Sequence, residues 1–395
     1  MRGLDWFVFC VADVQTGFGP FVAVYLTTQK WTQIDIGLVF SIAGLVALAS
    51  QIPGGMLVDA ARSERLVAGI AVTVIALAAL TYAAFPVFPA ILVAATFHAM
   101  ASCVLGPAIA AIALGLVGHA GIGERLGRNA RFASIGNGFA AALMGACGYF
   151  FSARSVFIVT ALLLVPTILA LRQIAPREIE PVRAHGGPTA PRETPAPIWS
   201  LFKDRRLITL ACCVALFHLA NAAMLPLMGS ALTGRSSDWA TVMIATCIVV
   251  PQIVVAFIAP WAGRQAKVWG RRPLILAGFA ALAVRGTLFA LVTDPALVVM
   301  AQIFDGISAV ALGVMVPLIV ADVTRGSGRF NSAQGLVGMI AGVGGALSMT
   351  LAGAVSDYIG SHFAFVGLAM VATLAFVCVL LFLPETRPQE SQREA

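Results

Sequence analysis

The chain has 395 residues, of which 59% are hydrophobic and only 11% charged, and its mean hydropathy is +0.93. An ordinary soluble domain carries roughly 45–50% apolar and about 25% charged residues, so charge is too sparse here to cover a water-facing surface, and disorder is excluded because so much of the chain must be buried. The net charge of +7 is dispersed through short loops instead of forming a patch on a folded domain, which argues against a nucleic-acid partner.

Twelve apolar segments follow one another at residues 4–26, 34–58, 66–85, 88–117, 130–151, 155–174, 207–230, 239–262, 273–293, 295–320, 332–355 and 360–383. Most are long enough to cross a hydrocarbon core of ~30 Å at about 1.5 Å per helical residue. Helix is the only conformation open to them, because lipid offers the backbone no hydrogen-bond partners. The first holds Asp13 at its middle and lacks a small-residue cleavage site, so it reads as a span and not as a signal peptide. The polar stretch 175–206, rich in Pro, Gly and mixed charge, reads as a linker in which His185 is solvated. It divides the chain into spans at 1–174, a linker at 175–206, spans at 207–383 and a tail at 384–395. Prolines 20, 53, 107, 166, 226, 251 and 317 fall inside spans and are expected to bend them.

Lys30, Arg154 and Arg235 follow odd-numbered spans and Arg285 lies within one; the other 21 Lys and Arg residues sit at the termini or after even-numbered spans. By the positive-inside rule both termini are cytoplasmic. All seven cysteines lie in apolar runs without a CxxC pair, which fits small packing residues better than redox or metal chemistry.

The halves are weakly self-similar. "TFHAMASCVLG" in span 4 aligns with "IFDGISAVALG" in span 10, laying His98 over Asp305. The loop after span 2 reads "GMLVDAARSER" and the loop after span 8 reads "GRQAKVWGRRP", while the last span closes on "PET". On these motifs the chain resembles the major facilitator superfamily over essentially its whole length. Gly55 and Asp59 match the family's loop hallmark, with Arg62 in place of its second glycine and Arg65 as a further basic residue. Gly263, Gly270, Arg271 and Arg272 match in the second loop, where Lys267 replaces the acid. The resemblance implies an all-α membrane fold of twelve helices in two six-helix bundles rocking about a central site lined by spans 1, 4, 7 and 10. It further implies that Asp59 engages the start of span 11 near Asn331 and Ser332, and that the loop residues Gly55, Asp59, Arg62, Arg65, Gly263, Lys267, Gly270, Arg271 and Arg272 govern the conformational change.

Ionisable side chains in mid-membrane cost ~2.5–3.5 kcal/mol each on insertion scales and are functional candidates for that reason. Five stand out: Asp13, His98, His218, Arg285 and Asp305. Asp13, Asp305 and His98 are the expected proton-coupling residues, since burial brings a carboxylate toward neutral titration and histidine starts near it. Helical spacing adds Gln15, Thr16, Ser102, His218, Asn221, Met224, Met228 and Gln302 as cavity-lining candidates, with Arg285 as a snorkelling, pairing or anion-binding residue on a peripheral span. Gln51, Asn137 and Gln252 lack a deciding feature. No clustered nucleophile, base and acid and no HExxH pattern occur, so neither catalytic nor metal-ligating residues are assigned, and no cofactor is expected beyond the proton gradient. The sequence therefore reads as a monomeric transporter in a bacterial inner membrane, whose partners are protons, lipid and a small solute. The leading expectation is proton-coupled efflux of a drug-like or amphipathic metabolite. The near alternative is uptake by symport of an organic or metal-chelate solute, because span 5, "SIGNGFAAALMGACG", lacks the Gly-Pro pair of the family's antiporters. A membrane enzyme or a channel is the remote alternative.

Overall fold

A computed structural model describes residues 2–16, 19–187, 195–233, 237–292 and 294–387, and its regular secondary structure is helical throughout these residues. In chain order the helices are α1 (Arg2–Thr16), α2 (Gly19–Thr28), α3 (Gln33–Asp59), α4 (Glu64–Ala84), α5 (Phe88–Phe150), α6 (Ala153–Leu162), α7 (Leu164–Arg172), α8 (Pro181–Ala184), α9 (Arg205–Asn221), α10 (Met224–Thr233), α11 (Ser237–Val268), α12 (Arg272–Leu291), α13 (Pro295–Val310), α14 (Val316–Val323), α15 (Phe330–Tyr358) and α16 (Ser361–Phe382). Arg235 lies outside the described residues.

The expected loop between spans 4 and 5 is helical instead. α5 runs for 63 residues, interrupted only at Gly118, which takes φ +63° and ψ −178°. A straight helix of that length would measure ~95 Å, about three times a hydrocarbon core, so the glycine break separates two spans. Good helix formers carry the segment after it, and Arg125 locks onto Asn129 one turn on, donating from Nε to Oδ1 at 2.8 Å. Ten helices among the described residues are long and apolar enough to cross a membrane when α5 is counted once, giving about ten to twelve spans in all.

Prolines act in two ways. Pro166, Pro226 and Pro317 each fall about four residues after a break, at Leu163, Ala222 and the π-helical turn Ala311–Met315. The physical cause is the proline ring, which collides with the carbonyl four residues earlier and leaves it without a donor. Pro53, Pro107, Pro251 and Pro260 lie inside continuous helices.

The chain forms two compact units: Met1–Gly121 with Phe132–Ala196 and Thr324–Gly335, and Ile122–Arg131 with Pro197–Val323 and Leu336–Ala395. In the first, α4 packs on α6 and α7, and α1 on α7. Tyr82 stacks on Phe157 at 5.4 Å and Tyr25 tilts against the same ring at 4.9 Å. In the second, α12 lies against α13 and α16, and α16 against α9. Large apolar side chains such as Leu45, Leu57, Leu77, Phe257 and Phe382 point outward, as expected of a surface solvated by acyl chains.

Each unit also contains a crossing at which two backbones nearly touch. In the first, a methyl on Gly55 of α3 would overlap the Asn331 carbonyl, and one on Gly335 of α15 would overlap the Gln51 carbonyl. In the second, Gly123 and Gly127 of α5 meet Gly263 and Ala259 of α11 in the same way. Small residues permit this approach where no hydrophobic force separates helix from lipid. Gly335→Ala should therefore cost about 1–3 kcal/mol by overpacking, whereas Gly353→Ala on the same helix, with open space around it, should be neutral or stabilising by roughly 0.5–1 kcal/mol. Thermal unfolding of the two purified variants checks the contrast.

Candidate functional site

In the first unit α1, α3 and α5 border an open pocket of about 470 Å³ lined by Gln15, Gln51, His98, Ser102 and Cys103 among small residues. The Gln15 amide donates to the Ser102 carbonyl at 3.3 Å, and His98 Nε2 lies 3.3 Å from the Gln15 carbonyl oxygen. Small neighbours, Ala43, Gly44, Ala47 and Gly106, leave the polar groups room. Three sequence candidates, Gln15, His98 and Ser102, thus share one pocket. Gln51, left undecided by the sequence, joins them because a helical turn of α3 faces α5. The side chains of Asp13 and Thr16 lie outside the described residues.

At one end of α3 the Asp59 carboxylate sits on the first turn of α15. It accepts from the Asn331 N–H at 3.1 Å and Asn331 Nδ2 at 2.9 Å, and from the Ser332 N–H at 2.8 Å and Ser332 Oγ at 2.5 Å. Backbone donors left over at a helix start, aligned with the helix dipole, are a natural seat for an anion. The seat exists only because Gly55, one turn earlier, lets the two backbones meet. Arg62 is exposed; Arg65 instead lines a groove against α7 with Ser63 and Arg172.

The beginning of the expected linker departs from the sequence reading. Residues 176–187 form a 3-10 turn and α8, tied down by donation from Glu180 N–H to the Gly115 carbonyl at 3.2 Å and from Gly326 N–H to the Gly186 carbonyl at 2.7 Å. His185 is not solvated: its side chain is 16% exposed and its Nε2 lies 3.0 Å from the Glu64 carboxylate, itself 4% exposed. The reason is that an acid buried at the start of α4 needs a partner, and the folded-back linker supplies one.

The second loop is organised by two carboxylates that sequence reasoning overlooked. Glu385 accepts from the Arg271 N–H at 2.9 Å and the Arg272 N–H at 3.0 Å, capping α12. Gly270, at φ +92°, leaves the space this carboxylate occupies. Arg271 Nε donates to Asp322 Oδ2 at 2.8 Å in a buried ion pair, and Thr386 Oγ1 donates to the same oxygen at 3.4 Å. The "PET" sequence is thus a capping device. Its lone acid, close in the repeat logic to a loop that had lost its own, was the available signal. Lys267 is exposed and Gly263 belongs to the helix crossing.

Within the same unit Arg285 and Asp305 form an ion pair between α12 and α13. The guanidinium is 2% exposed, the carboxylate 27%, and Phe289 lies 5.4 Å from the guanidinium carbon in a cation–π contact. Arg285 therefore neither snorkels nor sits at a periphery. Its charge is held by a carboxylate one helix away, which is how a buried cation is tolerated. Part of the span-10 stripe faces α12, where Ser308 Oγ donates to the Gly278 carbonyl at 2.9 Å, while Gln302 is fully buried and hydrogen-bonds Cys247 of α11. Met224 and Met228 are buried in packing, the Met224 methyl abutting Gly286 and thus leaving no lining surface. His218 touches the Phe217 ring edge-on, and both His218 and Asn221 are half-buried.

Comparison with known proteins identifies the class. The chain matches the Major Facilitator Superfamily over residues 6–264 and 230–395. It is 37% identical over 389 residues to an uncharacterized MFS-type transporter of Mycobacterium tuberculosis, covering 98% of this chain and 93% of the relative, in strain CDC 1551 / Oshkosh and equally in strain ATCC 25618 / H37Rv. The solved structure of the MFS proton:xylose symporter XylE bound to 6-bromo-6-deoxy-D-glucose is similar in fold, with TM-score 0.69 at 14% identity over 98% of this chain and 95% of that one. The chain belongs to the major facilitator superfamily: it is a multi-pass membrane transporter and not an enzyme.

Removing the Glu385 cap by Glu385→Ala leaves two helix-start donors without an acceptor, and should lower stability by about 0.5–2 kcal/mol. Thermal melts of the detergent-purified variant read this directly.

Proposed function

We propose that the chain is a proton-coupled exporter of a drug-like or amphipathic metabolite, working by alternating access with both termini cytoplasmic and as a monomer in a bacterial inner membrane. Two six-helix bundles, 1–174 and 207–383, rock about the solute. The observation that carries this reading is the Arg285–Asp305 pair within the membrane-spanning helices. A charge pair inside the bilayer is costly, which makes it a functional candidate, and a carboxylate that is partly open can take a proton in exchange for its guanidinium partner. Asp305 is then the principal proton carrier, with Asp13 and His98 as further carriers. The pocket of Gln15, Gln51, His98 and Ser102 offers hydrogen bonds without a fixed charge among its described residues, which suits a largely neutral amphipathic solute; the half-buried His218 and Asn221 extend that reading to the second half. Asp59 on the start of α15 acts as a latch, made in one state and broken in the other, and the basic loop residues Arg62, Arg65, Lys267, Arg271 and Arg272 steady the same ends.

Uptake by proton symport is the second reading, favoured by the absence of the Gly-Pro pair in span 5. XylE is itself a proton:xylose symporter, but at 14% identity it supports the fold alone. An imposed proton gradient across inverted vesicles separates the two by the direction in which a fluorescent solute moves.

Asp305→Asn should abolish gradient-driven transport while leaving Arg285 as an uncompensated buried charge, at a stability cost of about 3–5 kcal/mol. Combining it with Arg285→Gln should recover most of the stability and none of the coupling. Full-rate gradient-driven transport by Asp305→Asn would remove Asp305 from the proton path. Separately, Asp59→Ala should slow turnover at saturating solute about tenfold, a barrier change of ~1.4 kcal/mol, with solute affinity little altered; stopped-flow transport in proteoliposomes measures it.

A further inference from the structure

A second cavity lies away from the solute pocket, on the side of the first unit where α4 meets α7. It holds about 510 Å³ and is lined by Leu66, Gly69, Ile70, Thr73, Val74, Ile168 and Leu171, with Ser63, Arg65 and Arg172 at one end. Its rim residues Leu66 and Ile70 are exposed, so the cavity opens onto the surface that faces acyl chains. The groove has depth because Gly69 carries no side chain: a methyl there would press on Leu171 at 3.3 Å. Thr73 hides its hydroxyl by donating to the Gly69 carbonyl at 2.8 Å, which leaves the wall apolar. The mouth is the opposite. Arg65 Nε is buried without a hydrogen-bond partner among the described residues, a state that costs free energy unless something arrives to accept from it. Arg172 ends α7, one helix away, and the Ser63 hydroxyl caps α4 beside them. No acidic residue lines the groove.

We propose that this groove binds one anionic phospholipid, its phosphate held between Arg65 and Arg172 and one acyl chain laid along Gly69, Ile70, Val74 and Ile168. An apolar trough several turns long demands a chain. Two guanidiniums at its end demand an anion, and guanidinium is the side chain that matches a phosphate in bidentate geometry. In the proposed orientation the mouth meets the inner-leaflet headgroups, where anionic lipids draw such cations. The site also accounts for Arg65, which lies in the first turn of α4 and, among the described residues, makes no hydrogen bond to α15.

Native mass spectrometry of the full-length protein tests the proposal. Wild-type protein, titrated with phosphatidylglycerol or phosphatidylcholine of equal chain length, should retain one phosphatidylglycerol preferentially. Arg172→Gln should weaken that retention about fivefold, and the Arg65→Gln, Arg172→Gln pair about thirtyfold, at the worth of one juxtamembrane cation each. Thr73→Trp, which fills the trough and leaves both charges, should weaken it as well. Glycerol 1-phosphate, which has the headgroup chemistry but no chain, should not compete. Equal retention of the two lipids by wild type, or unchanged retention by the double variant, would overturn the site. Competition by glycerol 1-phosphate, or full retention by Thr73→Trp, would overturn the lipid as its occupant. None of these readings depends on transport, so they stand apart from the test of proton coupling.

Discussion

Backbone contact between helices is the constraint from which the rest of this molecule follows. In hydrocarbon a helix gains nothing by burying leucine against leucine, so association depends on how closely the main chains approach. Gly55 with Gly335, and Gly123 and Gly127 with Gly263, set that approach at its minimum in the two units. Once α3 and α15 lie this close, the short Asp59 side chain reaches the free amides of Asn331 and Ser332. The loop chemistry is thus a product of the glycine contact and not an addition to it.

The same economy governs charge. Several buried or half-buried ionic groups in the described residues are met across a helix interface: Arg271 by Asp322, Arg285 by Asp305, Glu64 by the His185 ring, and Asp59 by a helix start. The two halves solve the problem differently. The first seats its loop acid on bare amides. The second has Lys267 where that acid would stand and brings Glu385 from the end of the last span to cap α12 instead. A duplicated plan has been kept while the interaction that closes it has been replaced.

Much of this was legible in the sequence because lipid imposes simple rules. Span length, hydrophobicity and the placement of basic residues located nearly all the helices, and loop motifs led to the family. What escaped notice depends on which direction a side chain turns. Spacing alone laid Gln302, Asp305 and Ser308 along one stripe, but it carries no mark of whether that stripe meets a cavity or the neighbouring helices α11 and α12. Arg285 looked peripheral because its partner lies twenty residues away. His185 looked solvated because a polar segment gives no hint that it will fold back onto a buried acid. The partners of Glu385 and Asp322 were hidden for the same reason: each acts across a long sequence gap, and three-dimensional proximity reveals the pairing.

The π-helical turn at Ala311–Met315 carries one more lesson. A wider turn uses an extra residue before the helix resumes, so everything from Val316 onward is rotated relative to the register that runs through α13. The outward and inward faces of span 10 therefore cannot be drawn on a single helical wheel. Its two ends keep separate phases, and a residue that tracks Asp305 by the count of 3.6 is displaced by about a quarter of a revolution once it lies beyond Met315.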